Sequence, residues 1–156
     1  MGNNTKIFKT HSLPLIKQKV SLESNYKNAT CEINDNQLCW LGKVKPTAFS
    51  KEYNLIILYK INKAPEIWVI GDELEKIDDK NFPHIYDKKI DKKMVRICLY
   101  RNYEFNHSMY LSNTIVPWAI EWLYYYELWL LTDKWLGGGV HPTNVSNKKE
   151  IRKRYK

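Results

Sequence analysis

The sequence predicts an α+β domain, one antiparallel sheet with helices packed on or beside it. Three observations carry this. Short runs of β-forming residues separated by turn-like residues fill positions 29–70. Apolar side chains repeat at helical spacing over positions 114–132. The length of 156 residues suits one domain with a single core.

Residues 13–27 (LPLIKQKVSLESNYK) read as a short amphipathic helix. Pro14 is expected in its first turn, with Leu15, Ile16, Val20 and Leu22 toward one side. ATCEI and LCWLGKV flank the turn-like Asn34-Asp35-Asn36 and read as a hairpin. YNLIILYKI (Tyr53–Ile61) and EIWVI (Glu66–Ile70) are two further strands around the turn Asn62-Lys63-Ala64-Pro65. Short connections make these four strands an antiparallel meander. Gly71 to Lys80 is polar, with room for one helical turn. Phe82-Pro83-His84-Ile85-Tyr86 precedes a charged loop, DKKIDKKMVR, which leads into Ile97-Cys98-Leu99-Tyr100. Residues 101–113 look irregular. Thr114 is placed to cap a long helix running to about Thr132, with Pro117 in its first turn, where a missing N–H costs little. Trp118, Trp122, Tyr125 and Trp129 share one spacing, and Ile115, Ala119, Leu123 and Tyr126 another. Such a helix is covered on more than one side. Gly137-Gly138-Gly139 ends the helical pattern.

Composition excludes several classes. With 44% hydrophobic and 13% aromatic residues, the chain is not disordered. The net charge of +8 invites a nucleic-acid reading, but its distribution argues against one. Residues 1–20 carry +4 and residues 147–156 carry +5, leaving the body close to neutral. Residues 1–12 are read as a flexible segment, 13–142 as the domain and 143–156 as a basic tail. The stretch Ile115 to Leu131 contains Pro117, Glu121 and Glu127, so it reads as a buried helix and not a membrane span. Cys31, Cys39 and Cys98 form no zinc-type spacing and no C-x-x-C pair. Their odd number, without a secretory signal, points to a reducing, cytoplasmic setting. Cys31 and Cys39 fall in the first hairpin and read as inert strand residues. There is no P-loop and no GxGxxG, so activation of any carboxylate must come from elsewhere.

Three local sequences resemble the ubiquitin-conjugating (E2) family. Phe82-Pro83-His84-Ile85-Tyr86 is similar to its His-Pro-Asn-Ile segment, Ile97-Cys98-Leu99 to the residues around its active cysteine, and Thr114-Ile115-Val116 to the opening of its following helix. The chain more closely resembles stand-alone bacterial E2-like proteins of CBASS antiphage systems. This closer likeness lies in LCWLGKVKPT (Leu38–Thr47), PHIY (Pro83–Tyr86), CLY (Cys98–Tyr100), TIVPWAIEWLYYYELWL (Thr114–Leu130) and WLGGGVHP (Trp135–Pro142). The resemblance implies a UBC-like fold: N-terminal helix, four-stranded meander, active-site segment and long C-terminal helix. It also implies a thioester on Cys98, formed with the C-terminus of a cyclic-oligonucleotide synthase and passed to a lysine on a protein target. No cofactor or metal is implied.

A thiolate is both nucleophile and leaving group, which suits acyl transfer. Lys88, Lys89, Lys92, Lys93 and Arg96 outnumber Asp87 and Asp91 just before Cys98. This excess either favours the thiolate and attracts an acidic donor tail, or is a solvated surface loop. The sequence departs from the family at two positions. His84 matches the family's catalytic Asn and Phe82 its His, and the loop to Cys98 is longer than in ordinary E2 enzymes. Three roles for His84 stay open: oxyanion donor, acceptor of the amine proton, or structural pin. Pro83, Tyr86, Tyr100 and Arg96 are candidate cleft or donor-tail contacts, the two tyrosines also as O–H donors. His107 and His141 read as loop or turn residues, Trp118, Trp122 and Trp129 as core. Glu121 and Glu127 either pair or face water. The rival classes are an inactive E2-like scaffold, a basic nucleic-acid-binding protein, and a hydrolase using Cys98 and His84.

Overall fold

Alternation of apolar and polar side chains makes the sheet's core face. In the computed structural model, which describes residues 11–101 and 103–139, β1 (Thr30–Asn34) pairs antiparallel with β2 (Gln37–Val44). β2 pairs in turn with β3 (Tyr53–Tyr59), and β3 with β4 (Glu66–Ile70). Leu38, Trp40 and Val44 of β2 are buried opposite Tyr59, Ile57 and Tyr53 of β3. Each such apolar side chain removed from water contributes roughly 1.5–3 kcal/mol. Gly42 shares that face because the Trp40 ring lies across it. A Cβ there would sit 2.3 Å from the ring. The first turn needs only Asp35 and Asn36, both at positive φ (50° and 57°), as a two-residue hairpin requires.

The expected four-stranded meander is corrected by a second hairpin. The charged stretch read as a loop forms β5 (Ile85–Lys89) and β6 (Met94–Ile97), which extend the antiparallel sheet to six strands in the order β1-β2-β3-β4-β6-β5. β6 buries Val95 and Ile97, whereas β5 is the exposed edge. An edge strand has little core face to reveal in its sequence, and its lysines discourage pairing with another chain.

Two helices complete the described architecture: α1 (Leu15–Asn25) and α2 (Ile115–Thr132). α1 is shorter than expected, and Pro14 precedes it as its N-cap residue. Its inward stripe is Leu15, Gln18 and Leu22, while Ile16 and Val20 are each 59% exposed, contrary to the expected grouping. Gln18 tolerates burial because Nε2 donates to the Met109 carbonyl (2.8 Å) and Oε1 accepts from Leu111 N–H (2.9 Å). α2 has the expected span and buries Ile115, Val116, Ala119, Trp122, Leu123, Tyr126 and Trp129. Thr114 does not cap it through its side chain, because its hydroxyl donates to the Tyr110 carbonyl instead. Glu127 is held by the Tyr53 and Ser50 hydroxyls at 2.9 and 2.6 Å, which fastens the β2–β3 connection to α2. Among the described residues, no helix is long and apolar enough to cross a membrane. The terminal segments 1–10 and 140–156, including His141 and the basic tail, lie outside the described residues.

Candidate active site

Cys98 and His84 are fourteen positions apart, and the β5–β6 ladder brings them together. Ile85 pairs with Ile97, and one step further along, the Cys98 N–H donates to the His84 carbonyl at 2.9 Å. The same carbonyl accepts the Trp122 indole N–H at 3.1 Å, tying the open end of the hairpin to α2. His84 itself is buried, with positive φ (48°). A non-glycine residue at such an angle is held there by its surroundings. Its ring lies 4.7 Å from that of Trp135. On its N-terminal side, Phe82 packs on Trp122, Tyr126 and Trp129, with ring centroids 5.2–6.3 Å apart. The position that resembles the family's histidine is therefore a core anchor.

Cys98 is partly exposed and lines a cleft of about 720 Å³. The strand-end segment Cys98–Arg101 and Glu104 form one side, and Trp118, Glu121, Trp122 and Tyr125 of α2 another. His84, Trp135 and the Gly137–Gly139 run line the rest. The glycines let this run lie close: a Cβ on Gly139 would approach His84 Cε1 to 3.3 Å, and one on Gly137 would meet Tyr125 at 2.8 Å. A second groove of about 330 Å³ is lined by Ala64, Pro65, Glu66, Ile67, Tyr86, Arg96, Ile97, Leu99 and Tyr100. Leu99 and Tyr100 belong to both, so the chain just after Cys98 separates the two spaces.

Of the residues singled out from the sequence, Cys98, His84, Tyr86, Tyr100 and Arg96 come together here. Arg96 stacks over the Tyr86 ring at 5.2 Å and approaches Glu66 at 3.8 Å. Partial burial, then a polar contact with the Cys98 thiol and the charge that thiol can carry, push the Tyr86 phenol well above its ordinary range. Burial, with Cys98 second, pushes Tyr100 up to about 12. Pro83 is buried and lines neither space. His107 stands apart, its Nδ1 2.8 Å from the Tyr59 hydroxyl and its ring stacked on Tyr59. The lysines of the hairpin mostly have other partners. Lys88 reaches the Asp79 carbonyl, Lys89 lies over Trp68, and Lys93 pairs with Asp72. Burial pushes the thiols of Cys31 and Cys39 up, the first to about 11, although Cys39 lies exposed on the sheet. Glu104, Arg101 and Trp135 were not singled out as site residues. Trp135 carried a signal, since it opens the WLGGG run that resembles the family.

A family model for the type II CBASS E2 protein matches residues 18–142. The chain belongs to that family. The matched span includes both hairpins, the whole of α2 and every residue of the two spaces around Cys98. No curated protein matches the chain. Membership gives this E2-like chain a role within a CBASS system and a ubiquitin-conjugation-like character.

Proposed function

We propose that this CBASS E2 protein is a cytoplasmic cysteine acyltransferase with a UBC-like core extended by the β5–β6 hairpin. Cys98 takes the C-terminal acyl group of a partner as a thioester and passes it to a lysine amine. The donor is the cyclic-oligonucleotide synthase of the same system, and the transfer regulates antiphage defence. The observation that carries this reading is the position of Cys98, a partly exposed thiol in the wall of the larger cleft, in a chain of E2 family.

In the incoming step, the Cys98 sulfur attacks the activated donor carbonyl and expels whatever group activated it. In the outgoing step, a lysine nitrogen attacks the thioester carbonyl, and its π pair moves to oxygen. Collapse expels the Cys98 thiolate and leaves an amide. The larger cleft fits the amine, because its aromatic floor can take a lysine's alkyl stem and Glu104 and Glu121 can attract its ammonium group. His84 lines the same cleft and is the group we assign to take the proton that the attacking amine loses.

The replacement of the family's Asn by His84, and of its His by Phe82, favours a second reading, an inactive scaffold that binds the synthase without chemistry. One experiment separates the two. The protein is co-expressed with its synthase and resolved on a denaturing gel with and without reductant, beside Cys98→Ala and Cys98→Ser. A reductant-sensitive heavier species lost in Cys98→Ala, and an oxygen ester on Cys98→Ser, are expected. Peptide mapping must show a C-terminal acyl link and not a disulfide. If no such species forms and Cys98→Ala keeps antiphage activity, the scaffold reading stands.

A further inference from the structure

The family's oxyanion donor is absent from its usual position, and the residue there, His84, faces the larger cleft with its ring against Trp135. A tetrahedral intermediate at Cys98 still needs a hydrogen-bond donor near its oxygen. The other side of Cys98 supplies one. Between the pairs Ile85–Ile97 and Asp87–Arg96, the β5–β6 register slips, and Tyr86 is the extra residue. A β-bulge of this kind re-aims a side chain, and bulges are common beside active sites. Here the bulged residue has its phenol in polar contact with Cys98, while Arg96 braces the ring from above at 5.2 Å.

We propose that Tyr86 is a catalytic residue whose phenol O–H donates a hydrogen bond to the oxyanion formed at the Cys98 acyl group. No proton is transferred in this role. As nitrogen or sulfur adds to the carbonyl, the π pair that moves onto oxygen meets the O–H, and the pair returns when the leaving group departs. Burial and the neighbouring Cys98 hold the phenol well above its ordinary range, which favours the protonated form. A donor must keep its proton, so this property suits the role. The bulge explains why the position is tyrosine on an otherwise polar edge strand: Tyr86 is 52% exposed, and packing alone gives little reason for it.

The inference rests on the thioester reading above, and its test separates the two. Tyr86→Phe is compared with the parent, both full-length, in two single-turnover steps. The first is loading of Cys98 by the synthase. The second is discharge of the preformed thioester to free lysine. Both steps cross an oxyanion, so both are expected to slow by about 100-fold, the usual scale for losing one oxyanion donor. The melting temperature is expected to stay unchanged. Slowing confined to loading makes Tyr86 a donor-tail contact and overturns the proposal, as do rates within about threefold of the parent in both steps. If the variant loads too slowly to isolate, a small aryl thioacetate replaces the synthase as donor. That reagent needs no protein contacts, and parent-like acetylation and discharge with it also overturn the proposal. A parent protein that forms no thioester with either donor removes the reading beneath the inference, and that failure shows in the parent sample alone.

Discussion

Two hairpins close the opposite edges of this sheet, and they put cysteine to different ends. β1–β2 carries Cys31 and Cys39 inside paired strands, Cys31 opposite Trp40 and Cys39 opposite Glu32. β5–β6 carries its cysteine one residue beyond the last strand, where the ladder ends against His84. The first hairpin exists for the core: β2 alternates buried and exposed along its length. The second has one core strand and one solvated edge, and its open end points into the cleft. Within the first ladder Cys31 is buried and Cys39 is exposed on the sheet's outer face, whereas Cys98, just past the second ladder, is partly exposed and lines the cleft. What sets Cys98 apart is its place where the pairing stops, in the wall of a cleft.

The largest effect separating the hairpins is on stability. Leu38 of β2 is fully buried between Ile33 and Tyr59, so Leu38→Ala is expected to cost about 2–5 kcal/mol in chemical denaturation. Lys88→Ala on β5 removes only the contact to the Asp79 carbonyl and is expected to cost under about 1 kcal/mol. Comparable costs for the two would show that the second hairpin also bears core load.

This contrast explains what was legible in the sequence. β1 to β4 and α2 were readable because each has a face that must be apolar, and period reports faces. β5 was unreadable because its side chains are mostly solvated, and Asp87-Lys88-Lys89 looks like any charged loop. α1 misled in a different way. Its true inward stripe includes Gln18, a polar residue whose two backbone hydrogen bonds no periodicity can announce, while the apolar Ile16 and Val20 face out. At the site, Cys98 and His84 stood out through local resemblance. Trp135 is a cleft residue only because the chain returns there after α2, which depends on tertiary packing. The bulge that sets Tyr86 is a register slip between two strands, neither of which the sequence pattern marks as a strand.

The thiols themselves sharpen the comparison through pH. Burial first, and the Glu23 charge second, hold the Cys31 thiol up at about 11, above its value in an unfolded chain of about 8.5. The folded state therefore keeps a proton that the unfolded state gives up. This contribution to stability is complete below the unfolded value and is lost as pH rises toward the folded one. Denaturation midpoints measured from pH 8 to about 11 are expected to fall more for the parent than for Cys31→Ala. Equal slopes would mean that the thiol is not shielded in its ladder.

A smaller effect is expected where the second hairpin meets α2. Trp122→Phe keeps an aromatic ring beside Phe82 and Tyr126 but loses the indole N–H that donates to the His84 carbonyl. That loss is expected to cost about 1–2 kcal/mol, small beside Leu38→Ala. The same carbonyl anchors the Cys98 N–H, so slower thioester formation is expected to accompany the modest loss of stability. A variant with the stability loss and parent-like thioester kinetics would show that the hairpin's end is positioned without α2.

The smallest effect lies at the two hairpin tips, where one type of substitution gives different answers. Asn36 occupies positive φ (57°) in a two-residue turn, and its side chain makes no contact on which the strands depend. Glycine adopts that angle without steric cost, so Asn36→Gly is expected to stabilise the fold by a few tenths to about 1 kcal/mol. Lys93 also sits at positive φ (49°), at the end of the β5–β6 turn, where its N–H donates to the Ile90 carbonyl at 3.1 Å. Its ammonium, however, pairs with Asp72, and the hydrogen bond it donates, then its charge, holds the Asp72 carboxyl below the usual range. Lys93→Gly relieves the backbone and loses the ion pair together. Asp72 is exposed and its partner is screened by water, so the pair adds little and the two changes are expected to leave a smaller net gain than Asn36→Gly. A Lys93→Gly variant clearly less stable than the parent would show that the tip of the second hairpin depends on its charge pairing more than on its turn geometry. The edge lysines would then help to hold the strand that positions Tyr86.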